Sequence, residues 1–138
     1  MKRNNIPVFL FLVLTAFFSY SCYADNVDEV SFVGKRYEIY ITESDCQHAV
    51  DCNDVKARLI DKDKQKKYKV TGEAIVTGFG RNLRGYTLYH GSYKYELSRP
   101  ETRPDTEVDL SQWLLDVYKK TERGTFDKIF SESGEVNI

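Results

Sequence analysis

Beyond residue 29, apolar and polar positions alternate with a period of two through much of the chain. Tyr37, Ile39 and Ile41 alternate with Glu38, Tyr40 and Thr42. That spacing puts the two sets on opposite faces of a strand. The whole stretch 30–42 reads as strand-rich, with Gly34 marking a bulge or short turn. Val55, Ala57 and Leu59, set against Lys56 and Arg58, predict a second strand over 55–60. A third covers 68–77, with Gly72 a candidate bulge. A polar turn, 61–67, joins these two. A loop with three glycines, 78–85, follows them.

The stretch 84–98 is the strongest element. Aromatic and β-branched residues fill both arms of a predicted hairpin, with His90-Gly91 as its two-residue turn. Closing there pairs Tyr89 with Ser92, Leu88 with Tyr93 and Tyr86 with Tyr95. Leu88, Tyr93, Tyr86, Tyr95 and Leu97 then share one face, and Thr87, Tyr89, Lys94 and Glu96 the other.

After Pro100 and Pro104 interrupt the pattern, the period changes. Leu110, Trp113, Leu114, Val117 and Tyr118 stand at i, i+3, i+4, i+7 and i+8, one face of a helix over 107–121. Asp105 or Thr106 can cap it, and Gly124 ends it. The competing reading is two short strands, 107–110 and 114–119. The tail, 125–138, reads as polar and frayed. The expected fold is α+β: an antiparallel sheet of about five strands, built of meanders and hairpins, with one C-terminal amphipathic helix.

The first 24 residues belong to a different class. Lys2 and Arg3 precede a 13-residue apolar run, Ile6 to Phe18, and Cys22 and Ala24 stand at the −3 and −1 positions of a cleavage site. This predicts a secretory signal peptide over 1–24 and one exported domain over 25–138. The rival readings are an uncleaved anchor, for which the run is short, and a lipoprotein acylated at Cys22. Removing Lys2 and Arg3 lowers the basic count from 20 to 18 against 21 acids, so the net charge moves from −1 to −3. A mildly acidic domain is not built to neutralise phosphates, so nucleic acid is not an expected partner. No second apolar stretch of membrane length follows.

Cys46 and Cys52 remain after cleavage, an even number in an exported chain, so a disulfide is expected between them. It closes a short local loop. A metal site of Cys46, His48 and Cys52 lacks a fourth ligand nearby, so no metal and no cofactor is expected.

His48 and His90 have no nucleophile or acid beside them in sequence, and no catalytic motif spacing occurs. No catalytic residue is therefore assigned, and the chain is read as non-enzymatic. The glycine loop, with Arg81 and Arg84, could cradle an anion, although a plain strand connection explains it better. The basic run 62–69 could meet an acidic partner. The chain beyond residue 24 holds eight Tyr, one Trp and four Phe. Tyr and Arg are enriched where protein interfaces concentrate their energy. Arg81, Arg84 and Tyr89 are accordingly the candidate partner-binding residues.

At the level of architecture, the chain resembles the small periplasmic proteins that Gram-negative bacteria export as binding or immunity partners of antagonistic effectors. The resemblance rests on the leader, the β-rich domain, the local disulfide and the missing catalytic motif. It implies a periplasmic protein-binding domain, an immunity or inhibitor protein against a secreted toxin or enzyme. The alternative is an exported virulence or surface factor that binds host or envelope material.

Overall fold

The computed structural model describes residues 30–44, 53–77 and 82–138. Eight strands follow in order: β1 (Val30–Gly34), β2 (Tyr37–Ser44), β3 (Val55–Asp61), β4 (Lys66–Thr77), β5 (Asn82–His90), β6 (Tyr93–Ser98), β7 (Gln112–Lys120) and β8 (Phe126–Asn137). Each pairs antiparallel with its sequence neighbours, and β8 returns to β1. The result is a closed up-and-down barrel without edges.

This corrects the α+β expectation in three places. The predicted helix is β7. Trp113, Leu115 and Val117 point inward at period two, whereas Leu110 and Leu114 are 46% and 40% exposed. A helical face would have buried both leucines. A helix here would also leave the β6 and β8 ladders unpaired, and closure of the sheet overrides the local period. Of the two short strands in the competing reading, 114–119 lies within β7, whereas 107–110 forms no strand. The tail is β8, whose Val136 is buried opposite Phe32. With β1 and β2 separated at Gly34, the strand count rises from about five to eight.

The hairpin forms, with its turn displaced by one residue. His90 pairs with Tyr93 and Leu88 with Tyr95, leaving Gly91-Ser92 as the turn. Gly91 has φ +57°, and no described residue of the turn but glycine is left-handed. Glycine at the first central position suits a type II′ turn, whereas His90-Gly91 would have forced His90 left-handed. Each partner moves by two residues, so the inward set is preserved. Thr87, expected in solvent, is covered in the outer row between Glu73 and Glu96.

The core is the barrel interior. Trp113, Phe32, Ile39, Ile41, Leu59, Leu88, Leu97 and Leu115 are fully buried there. An eight-stranded barrel is just wide enough for such side chains to fill it or to leave room for one small ligand. The outward faces carry the charges, as at Lys56, Arg58, Lys69 and Glu96. That is the reverse of a barrel whose outside faces lipid.

Candidate functional site

The turns β1–β2, β3–β4, β5–β6 and β7–β8 all lie at one end, which we call the mouth. The period-two pattern that buries Val55, Ala57 and Leu59 carries one step further and turns Asp61 inward here. Arg36 reaches over from the first turn, with its Nε and Nη2 donating to the Asp61 carboxylate at 3.5 and 3.4 Å. Asp61 Oδ1 also accepts the backbone N–H groups of Asp63 and Lys64 at 3.1 and 3.2 Å. The bond to Asp61 raises the Arg36 pKa further above its ordinary value. The guanidinium also lies 5.0 Å from the Tyr37 ring centroid and 5.2 Å from that of Phe130.

Glu132 of β8 holds the first turn from inside. Its carboxylate accepts the backbone N–H groups of Arg36 and Tyr37 at 2.9 and 2.8 Å. Gly34 makes room for it, because a Cβ there would collide with Glu132 Oε1. Lys62 closes the rim, donating to the Gly34 carbonyl at 2.7 Å and facing Glu38 at 3.6 Å.

Within this frame lies a recess of about 130 Å³, lined by Tyr37, Tyr68, His90, Tyr93, Tyr95 and Ile129 among others. Tyr37 and Tyr95 form its buried floor, packed edge to face with centroids 5.9 Å apart. Tyr68 and His90 lie against each other at 4.5 Å. Burial, first among the causes, raises the pKa of both Tyr37 and Tyr95 and keeps their hydroxyls protonated.

A second surface lies outside the barrel, on β3 and β4. Lys56, Arg58, Lys67 and Lys69 all point outward there. Arg58 stands directly opposite Lys69, and its guanidinium is 4.9 Å from the Tyr40 ring centroid on β2. Thr42, Lys56, Arg58, Lys69 and Thr71 border a shallow groove on this face. Like charges directly opposed across two strands are unfavourable in the free protein.

The residues singled out in sequence scatter around this geometry. Tyr89 is 41% exposed on the outside of β5, opposite Thr71 and Lys94. Arg84 is exposed five residues away, towards the opposite end, at the bulge where β5 slips against β4. Arg81, His48, Cys46, Cys52 and the segment 1–24 lie outside the described residues, as does Gly78–Arg81 of the glycine loop. His90 is in the turn region as expected, but its ring also lines the recess. Among the described residues no three metal-ligating side chains converge. The mouth cluster was missed in sequence because Asp61 was assigned to the turn. Extending the inward parity of β3 by one residue would have found it.

Comparison with family models, curated proteins and solved structures gave no match.

Proposed function

We propose that this protein is an exported, non-enzymatic binding domain, and that its partner is a protein with an acidic face. The observation that carries the reading is the outward quartet of Lys56, Arg58, Lys67 and Lys69, with Arg58 set against Lys69. Four cations project from the outer faces of two neighbouring strands in a domain with more acids than bases. An acidic partner brings carboxylates to these cations on contact. Arg58 stacked on Tyr40 supplies the planar, aromatic-backed donor common at interface centres. Arg81, Arg84 and Tyr89 remain proposed contributors, with Tyr89 nearest to this face across Thr71.

The proposed setting is the periplasm, with the leader removed and Cys46–Cys52 oxidised. An immunity or inhibitor role against a secreted toxin or enzyme fits a domain of this kind. The test is capture of a partner from periplasmic extract by the wild-type protein and by Lys69→Glu. The reading expects capture to fall at least tenfold in the variant. Equal capture by both would discard this face.

A further inference from the structure

The mouth recess has a chemistry of its own. Its floor is formed by Tyr37 and Tyr95, both almost fully buried. Neither hydroxyl bonds to another described residue. Yet no fully buried side-chain polar atom among the described residues lacks a partner. Each hydroxyl must therefore open onto the recess, where it can give or accept a hydrogen bond.

The lip is apolar. The β-bulge between Val117 and Tyr118 inserts Ile129 as an extra residue of β8. Ile129 lines the recess and is 53% exposed. Bulges re-aim a side chain in this way beside binding sites. Tyr68, Tyr93 and His90 add ring surface between lip and floor.

Of the two cations lining the recess, Arg36 is engaged by carboxylates and Lys64 is exposed to solvent. Arg36 pairs with Asp61 and Asp63, and Lys62 with Glu38. At the floor a guest meets the two phenols, and the neighbouring Asp61 is already bonded to Arg36 and to the backbone N–H groups of Asp63 and Lys64. The guest that matches is neutral, with an apolar body and one hydrogen-bonding tip. Size limits it further. At about 130 Å³ the recess is a little smaller than the ~150 Å³ cavity that encloses benzene, so one ring fits with an edge left at the open lip, and drug-sized ligands, which need roughly 300–1,000 Å³, do not.

From the bonded Arg36–Asp61 pair, the open phenol floor and the exposed Ile129 lip, we propose that the mouth is a binding recess for a single phenolic ring. The ring packs edge to face against Tyr37 and Tyr93 and places its hydroxyl between those of Tyr37 and Tyr95. A free small phenol and a tyrosine side chain of a partner protein share this chemistry. The recess is separate from the basic face of β3 and β4, and its occupancy does not depend on that face having a partner.

The test is an NMR titration of the whole exported protein with 4-methylphenol, toluene and methyl glucoside. The proposal expects saturable shifts at His90 and Ile129 with 4-methylphenol, and binding at least fivefold weaker for toluene. Tyr95→Phe, which keeps the ring, should weaken 4-methylphenol at least threefold and leave toluene unchanged. Ile129→Ser, at an exposed position, should weaken both. An acetylated, amidated Gly-Tyr-Gly peptide separates the sources. Binding as tight as that of 4-methylphenol assigns the site to a partner's tyrosine, and binding of the free phenol alone assigns it to a small molecule. No saturable shift with any phenol, equal affinity for toluene, or preference for the glucoside would each overturn the proposal.

Discussion

Glu132 shows how one side chain shapes the mouth. Its two oxygens take the backbone N–H groups of Arg36 and Tyr37, donors that a tight turn would otherwise leave open. Glu132→Ala should cost on the order of 2–3 kcal/mol, since bonds to a charged acceptor exceed neutral ones. Glu132→Gln, which keeps one acceptor oxygen, should cost less. Urea midpoints of the two variants provide the check. Tyr95 makes a pH prediction at the same scale. Its folded pKa lies above its ordinary value of 10.0, because burial disfavours the phenolate. The unfolded chain releases that proton first, so the stability Tyr95 contributes is complete below about pH 10 and is lost as pH rises through the folded value. Thermal melts across this alkaline range, with tyrosinate absorbance followed alongside, should show Tyr95 ionising together with unfolding.

At the scale of elements, the clearest lesson is β7. Trp113 and Val117 satisfy both a helical and a strand period, so only the leucines discriminate. Leu115 is fully buried and Leu114 is exposed. Leu115→Ala should therefore cost about 2–5 kcal/mol, and Leu114→Ala within roughly 0.5 kcal/mol of nothing. A helical segment would reverse the order. The inward residues of β2, β3, β5 and β6 were legible because alternation there had no competing period. The hairpin turn was misplaced because His90 and Gly91 both tolerate a turn. The hand of the two-residue loop, which chooses glycine first, is a property of strand twist and leaves no periodic trace. Asp61 was legible only by extending a strand past its last apolar residue, and the closure of β8 on β1 joins residues too far apart for any local pattern to reveal.

At the scale of the molecule, closure distributes charge. An apolar lumen sends nearly every charged side chain outward, and the β3–β4 pair collects cations while the domain carries a net negative charge. This predicts an unusual variant. Lys69→Glu should stabilise the free protein by a few tenths to ~1 kcal/mol, because Arg58 then faces an opposite charge. The same change should weaken partner binding. Gain of stability with loss of binding separates a functional surface from a structural one. The export reading has its own check in the intact mass of the secreted protein, which should begin at Asp25 without lipid and without free thiols at Cys46 and Cys52.

The most direct test of the acidic-partner account is the salt dependence of capture from periplasmic extract. Wild-type protein and the Arg58→Glu/Lys69→Glu double variant would be compared from low to physiological ionic strength. Wild-type capture should fall steeply as salt screens the basic face, and the double variant should retain less than a tenth of it at low salt. Capture of the same partner at equal strength by both proteins, unaffected by salt, would contradict the account.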